Sequence, residues 1–216
     1  DIILNFIDII PKNEFNIYSK VTEENLDGDF KQIQRLLQKE KFKKITILMH
    51  KEQEISNSDF AKEINNFCKK NDDCTWGVSV YNETYAFQAL DLNGCNTIQF
   101  PYNIFNPLFL QNGFINLAKT MKVNLIPRSI FVQGLIFKKA KFFSCYKKEV
   151  KKVVNDLNKF ALKHDLNLAS LACLFVRKTA GLDNLLIGVD SIRQLKEIKK
   201  IEIENKIDTE SLFRSC

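Results

Sequence analysis

The sequence has few of the residues from which metal and disulfide sites are built. It contains two histidines, His50 and His164, and its six cysteines form no CxxC pair and no spacing typical of zinc ligands. We therefore expect no metal site. We also expect the cysteines to be the reduced thiols of a cytoplasmic protein rather than a disulfide framework.

Long apolar runs and strongly one-sided charge are also absent. No run approaches the roughly 18 residues that a membrane-spanning helix needs, and residues 1–11 carry acids without a basic segment before an apolar stretch. The net charge is +6, yet lysines such as Lys148 and Lys151 lie opposite an apolar helical stripe, which indicates a solvated helix face. We expect neither a membrane nor a nucleic acid as partner, and nothing in the sequence indicates an oligomeric state.

What the sequence does have is a regular alternation of two hydrophobic periods. The 216 residues, 45% of them hydrophobic, suffice for one sizeable core, which predicts a single domain over 1–216. Stretches with helical spacing separate six apolar runs that we predict to be strands: residues 15–21, 44–50, 75–81, 96–102, 123–129 and 184–189. The helical stretch over 147–176 is predicted to break near 164–167. Strand followed by helix is the repeating unit.

This repetition favours a parallel sheet covered by helices, either doubly wound or closed into a barrel. No GxGxxG or GxxxxGKS motif follows any predicted strand, which favours the barrel. Residues 1–10 predict a helix that Pro11 ends, with no strand before it. The predicted fold class is therefore α/β, of the (β/α)8 TIM-barrel type, with about six of eight units present and the first units missing.

Polar residues at the predicted strand ends are the candidates for a functional site, because the carboxyl ends of barrel strands form the active-site rim. Lys20, His50, Ser79 and Gln99 end four consecutive strands. Each has a simpler explanation: a solvated lysine or histidine is common, and Ser79 is a possible helix cap. Gln99 is less easily explained in this way, because a buried amide needs partners.

Six segments occur in an order and at spacings that resemble the aldo/keto reductase family: FNIYSKV (15–21), ITILMH (45–50), WGVSVYN (76–82), IQFPYNIFN (98–106), IPRSIFVQGL (126–135) and LIGVDSIRQL (186–195). Each motif is weak alone, and the ordered set covers essentially the whole chain. The resemblance implies an NAD(P)H-dependent oxidoreductase that reduces a small-molecule aldehyde or ketone by hydride transfer, and a sugar-like carbonyl is the candidate substrate.

The family's functional residues carry over position by position. Lys20 matches the lysine that lowers the pKa of the catalytic tyrosine, and His50 matches the histidine that orients the carbonyl. Ser79 and Gln99 match side chains that hold the nicotinamide carboxamide. The remaining cofactor-binding candidates are Arg128 at the position of a ring-stacking aromatic, Ser129, Gln133, Gly134 and Leu135 near the pyrophosphate, and Gly188, Asp190 and Arg193 near the adenosine end.

Three departures from the family pattern affect the cofactor site. Val80 stands where asparagine is common, and Arg128 replaces a ring-stacking aromatic. Near the adenosine end, Asp190 and the single basic residue Arg193 stand where NADP-selective members have a basic cluster. The resemblance implies NADP(H) in preference to NAD(H), and these departures leave the preference open.

The family's proton-donating tyrosine and its aspartate partner would precede Asp1, so the chain is expected to be an N-terminally truncated form with little activity. Tyr18 is not an obvious substitute, because it would lie deeper in the barrel than Lys20. Two alternatives remain: a non-catalytic binding or interaction module that completes its barrel through another chain, and an unrelated β/α-barrel enzyme.

Overall fold

The protein is described from a computed structural model that covers residues 16–38, 42–138, 142, 146–179, 181–182 and 184–188. The predicted helices at 1–10 and after residue 191 lie outside these residues, as do Asp190 and Arg193. Among the described residues, no helix combines the length and the apolar character needed to cross a membrane.

Strands and helices alternate along the described chain, as the two hydrophobic periods predict. The strands are β1 (Asn16–Val21), β2 (Lys44–Met49), β3 (Cys74–Ser79), β4 (Cys95–Pro101) and β5 (Asn124–Arg128). The helices are α1 (Leu26–Leu37), α2 (Ser58–Lys69), α3 (Glu83–Leu90), α4 (Leu108–Gln111), α5 (Phe114–Thr120), α6 (Lys148–Lys163) and α7 (Leu168–Lys178). The predicted break between α6 and α7 is confirmed, and it contains Asp165 at φ +55°.

The order of the strands distinguishes between the two architectures that the sequence left open. The sheet runs β1-β2-β3-β4-β5, and the pairs from β1 to β4 are parallel. A doubly wound sheet reverses its strand order at a switch point, whereas a β/α barrel adds each strand beside the preceding one. The described part of the chain therefore has the α/β architecture of a partial TIM-type barrel, as predicted.

The sixth predicted strand is wrong for the residues that the structure describes. Residues 184–188 have no strand assignment, although Leu186 N donates to Pro127 O at 2.9 Å. To extend this bond into a parallel ladder, the backbone N–H groups of residues 127 and 129 would have to donate to the segment 184–188. Pro127 has no N–H, and Ser129 at φ +60° turns the backbone out of the extended conformation. The described residues 184–188 therefore show this bond without the strand assignment that was expected.

Contacts within the chain define two compact units, one of Asp1–Phe100 with Asn116–Leu125 and one of Pro101–Ile115 with Ile126–Cys216. The first contains β1 to β3 and almost all of β4. Its core lies between one face of the sheet and the covering helices, where Trp76, Val78, Ile98, Phe60 and Ile64 are nearly inaccessible to solvent. The single domain predicted over 1–216 stays a prediction.

Asparagine side chains begin three of the helices and so fix the loops that lead into them. Asn57 accepts hydrogen bonds from Asp59 N and Phe60 N at the start of α2. Asn82 accepts one from Tyr85 N at the start of α3, and Asn167 accepts one from Ser170 N at the start of α7. Such caps satisfy backbone donors that have no partner inside the helix.

Candidate active site

The strand register places four predicted site residues on one face of the sheet. Lys20 pairs with Leu48, and Leu48 pairs with Gly77, so these three positions share a face. His50 and Ser79 each follow two residues later on their strands, and Ser79 pairs with Gln99. Lys20, His50, Ser79 and Gln99 thus share one face at the carboxyl end of β1 to β4, with Lys20 one layer below the others.

The β1–β2 pairing continues beyond the last strand residue of β2. His50 N donates to Val21 O at 2.9 Å, so His50 is held in the same ladder as the strand before it. The side chains of Lys20 and His50 are exposed, and both are accessible to a small molecule at this end of the sheet.

Ser79 and Gln99 form a buried polar pair beside these two exposed side chains. They are 0% and 2% exposed, and Ser79 Oγ donates to Gln99 Oε1 at 3.1 Å. The pair leaves a donor on the Gln99 amide nitrogen and an acceptor on the Ser79 hydroxyl. A primary carboxamide presents the complementary acceptor and donor, so the two side chains suit such a group.

The simpler explanation for Ser79, a helix cap, is wrong, because Asn82 caps α3. Asn103, just after β4, shapes a turn, because its Oδ1 accepts from Phe105 N at 3.0 Å. The buried amide of Gln99 has the partner that its burial requires.

Gly77 allows β3 and β4 to approach closely just below this pair. A Cβ atom at Gly77 would lie 1.9 Å from the backbone O of Thr97. The register between the two strands also shifts between Trp76 and Gly77. A side chain here would force the strands apart, so the absence of one helps to bring Ser79 opposite Gln99.

Two buried glutamates tie together the loops that surround the site, and neither was a sequence candidate. Glu52, just after β2, accepts from the backbone N–H groups of Tyr81 and Asn82 and from Asn82 Nδ2. Glu54 accepts from Glu23 N at 3.0 Å and from Lys51 N at 3.3 Å. Glu54 therefore joins the loops after β1 and β2, and Glu52 joins those after β2 and β3.

A surface ion pair adds a further link between the first two loops. Lys51 Nζ lies 2.6 Å from Glu24 Oε1, and the hydrogen bond from Lys51 lowers the pKa of the Glu24 carboxyl. Both side chains are substantially exposed, so this link is weaker than the buried carboxylate contacts of Glu52 and Glu54.

The departure at position 80 is not compensated by the nearby asparagine. Val80 is fully buried and donates its backbone N–H to Gln99 O at 2.9 Å. Asn82 uses its Nδ2 on Glu52 and its Oδ1 on Tyr85 N, so its side chain organises the loop. The pair of Ser79 and Gln99 therefore has no third amide of this kind from residues 80 to 82.

Two tyrosines of the first unit lie near the predicted chemistry. Tyr18 is on the same face as Lys20 but pairs with Thr46, one layer toward the amino-terminal end of the strands. Tyr81 follows β3 by two residues and is 57% exposed. Tyr81 was not among the residues predicted from the sequence, although the position of Tyr81 just beyond a strand end was a usable signal.

The predicted cofactor loop lies in the second unit and has an unusual backbone. Val132, Gln133 and Gly134 have φ of 48°, 52° and 81°, and Ser129 has φ of 60°. Left-handed backbone is costly for residues other than glycine, and most of all for a β-branched one such as Val132. Successive turns hold it: Val132 N donates to Ser129 O, Gly134 N to Phe131 O, and Leu135 N to Val132 O.

Arg128 and Gly188 are the other predicted cofactor residues of the second unit that the structure describes. Arg128 Nη1 donates to Ser129 Oγ at 3.3 Å, and Gly188 is exposed. Tyr102, which follows β4, is buried and shares a 3.0 Å hydrogen bond with Thr179, and burial raises its pKa to about 12. Tyr102 therefore stays neutral and has a structural role.

The sequence matches no protein-family model and no curated protein. The structure is similar to an aldo/keto reductase from Klebsiella pneumoniae in complex with NADP and acetate, with a TM-score of 0.66 and 13% identity over 92% of this chain and 68% of that chain. It is also similar to the holo form of an aldo-keto reductase from Bacillus halodurans, with a TM-score of 0.69 and 14% identity over 90% of this chain and 69% of that chain. For a thermostable aldo-keto reductase in complex with the inhibitor epalrestat, the TM-score is 0.66 and the identity is 17% over 90% of this chain and 68% of that chain.

These similarities confirm the fold that the six sequence motifs predict. The chain has the fold of the aldo/keto reductases and spans about two thirds of the length of these solved structures. The identities are low, so the likeness concerns the fold.

Proposed function

We propose that this chain is the greater part of an NAD(P)H-dependent oxidoreductase of the aldo/keto reductase type, which reduces an aldehyde or ketone to an alcohol. The observation that carries the proposal is the strand register, which brings Lys20, His50, Ser79 and Gln99 to one face at one end of the sheet. A sugar-like carbonyl is the proposed substrate, and the cytoplasm, where thiols stay reduced, is the proposed location.

Lys20 and His50 are both exposed at this end of the sheet, where a substrate can reach them. In the proposed reaction His50 donates a hydrogen bond to the substrate carbonyl, which orients it and favours charge development on its oxygen. Lys20 supplies the positive charge that lowers the pKa of a neighbouring tyrosine hydroxyl, the group that would donate the proton.

The residues of this chain suit a nicotinamide dinucleotide, which would supply the hydride. Ser79 and Gln99 offer the acceptor and the donor that a carboxamide requires. We propose that the loop residues Ser129, Gln133, Gly134 and Leu135 bind near the pyrophosphate, that Arg128 lies at the position of the ring-stacking aromatic, and that Gly188, Asp190 and Arg193 bind near the adenosine. NADP(H) is the preferred form, in keeping with the structurally similar reductases in complex with NADP and NADPH.

We further propose that these 216 residues alone reduce carbonyls slowly. Tyr18 lies one layer below Lys20, toward the amino-terminal end of the strands, and in this proposal it does not donate the proton. Lys20 and His50 then supply half of the four catalytic groups.

NADPH fluorescence titration of the chain tests the cofactor site without requiring turnover. We expect Gln99→Ala to weaken binding by roughly five- to tenfold, since one hydrogen bond to the carboxamide is lost. Gln88→Ala, on the exposed surface of α3, is the matched control and should bind as the unaltered chain does. Equal affinity in both variants, with unchanged circular dichroism, would contradict the role of Gln99.

A further inference from the structure

Two cysteine side chains meet at the opposite end of the first unit from the candidate active site. Cys68 is in the last turn of α2, and Cys74 is the first residue of β3. Their sulfur atoms are 3.2 Å apart, and the residues are only 7% and 5% exposed. This is close enough for direct reaction between the two sulfurs.

The backbone between the two cysteines fixes this proximity. Asn71 N donates to Cys68 O at 3.0 Å, and Cys74 N donates to Asn71 O at 2.9 Å. The Asn71 side chain also donates to Phe67 O at 2.8 Å. Two successive turns centred on Asn71 therefore connect α2 to β3 and bring the two thiols together.

The two thiols have different acidities. The hydrogen bond from Cys68 and the positive charge of Lys44 lower the pKa of Cys74, whereas the same hydrogen bond and burial raise the pKa of Cys68. Burial raises the pKa of another thiol of this unit, Cys95, to about 12. Because the thiolate is the reactive form, Cys74 is the better nucleophile of these three.

We propose that Cys68 and Cys74 are a redox-sensitive modification site that forms a reversible disulfide when the protein meets a peroxide. The Cys74 thiolate attacks one oxygen of hydrogen peroxide, the O–O bond breaks, and a sulfenic acid and hydroxide form. The Cys68 sulfur then attacks the Cys74 sulfur and releases the second hydroxide. The two thiol protons convert both hydroxides to water, so two thiols and one peroxide give one disulfide and two waters.

The crosslink would join the end of α2 covalently to the start of β3. This strand carries Gly77 and Ser79 toward its other end, so oxidation would stiffen the strand on which the candidate carboxamide-binding pair depends. A thiol reductant would restore the free thiols, as expected for a cysteine pair in a reducing compartment.

Peptide mapping of the whole chain tests the proposal. The protein is treated with limiting hydrogen peroxide, its remaining thiols are blocked with iodoacetamide, and it is digested with trypsin without reduction. Cleavage after Lys69 and Lys70 separates the two cysteines, so a disulfide between them appears as two linked peptides. Cys95→Ala is the matched control, because residue 95 lies on the same tryptic peptide as Cys74.

We expect loss of two of the six thiols, a chain lighter by two hydrogen atoms, and a linked peptide pair that dithiothreitol separates. Cys95→Ala should keep the link, and Cys68→Ser should abolish it. The proposal is overturned if Cys68 and Cys74 are alkylated as fully after peroxide as before it, or if the link joins another pair. The mapping of the unaltered chain decides the matter even if a variant does not fold.

Discussion

Each of the two units carries proposed cofactor-binding residues, and these residues are held in place in different ways. In the first unit, Ser79 and Gln99 are placed by the regular register of a parallel sheet and surrounded by loops that buried carboxylates hold. In the second unit, the segment 129–135 owes its form to four residues in left-handed backbone. The first arrangement uses extended strand backbone, and the second uses backbone conformations that most residues avoid.

Because of this difference, the two regions tolerate different amino-acid substitutions. A sheet register depends on close contacts between strands, so a single added atom at a contact point is costly. Gln133 is the exposed residue of the left-handed segment, and glycine suits its backbone conformation better than glutamine does. Four predictions test and sharpen the comparison, beginning with the largest effect.

The largest effect concerns whether the first unit's residues suffice for chemistry. We compare reduction of a simple aldehyde with NADPH by this chain and by a version extended at its N-terminus with the first strands and tyrosine of an aldo/keto reductase. Loss of a general acid costs on the order of 10²–10⁴ in rate, so the chain alone should be slower by at least about 10². Comparable turnover would show that another residue donates the proton, and Tyr81→Phe would then identify or exclude the exposed tyrosine beside the site.

The second prediction concerns the strand contact at Gly77. We expect Gly77→Ala to lower the free energy of unfolding by about 3 kcal/mol, because the new methyl group meets the Thr97 carbonyl and β3 and β4 must separate. Gly188→Ala in the second unit is the matched control. No atom of the described residues lies within 4 Å of its added Cβ, so its effect should stay within about 0.5 kcal/mol. Urea denaturation measures both, and equal midpoints would contradict the close-approach argument.

The third prediction concerns the loops around the site. Glu52→Gln should cost about 1–3 kcal/mol, because an amide nitrogen replaces one of the oxygens that face Tyr81 N and Asn82. Glu63→Gln, on the exposed surface of α2, should leave stability unchanged. Hydrogen exchange locates the effect: the amides of Tyr81 and Asn82 should exchange faster only in Glu52→Gln. Unaltered exchange there would mean that Glu52 does not hold this loop.

The smallest effect has the opposite sign in the two regions. Gln133 is exposed at φ +52°, so Gln133→Gly should stabilise the protein by about 0.5–1 kcal/mol. The same substitution at Gln88, in the exposed face of the helix α3, should destabilise it by a similar amount. Thermal unfolding of both variants measures the difference. Destabilisation by both would show that the left-handed conformation at residue 133 carries no strain.

The sequence predicted those features that depend on local hydrophobic pattern. Its first five strands match β1 to β5 within one or two residues at each end, because apolar β-prone runs alternate with helical spacing. Gln99 was recognisable because an amide in an apolar strand needs a partner. The sixth strand failed because its hydrogen-bond partners, Pro127 and Ser129, were themselves unsuitable, which the pattern of residues 184–189 does not reveal.

Other features depend on tertiary structure and gave little signal. Glu52 and Glu54 stand in the polar segment KEQEIS, where acids ordinarily face solvent, and only the folded loops show that they are buried. The left-handed backbone at Val132 could not be predicted, since β-branched residues are strongly disfavoured there. Sequence reasoning therefore found the side chains of the candidate site and missed the groups that support them.

The glutamate tethers have a consequence for protein engineering. Glu54 joins the loops after β1 and β2, and Glu52 joins those after β2 and β3, so the structure of each of these three loops depends on the others. A designer who wishes to graft new loops around the candidate site should exchange residues 22–24, 51–57 and 80–82 together. A graft of one loop alone would leave a buried carboxylate facing a foreign backbone, and chimeras that separate the three loops should express poorly beside those that transfer them together.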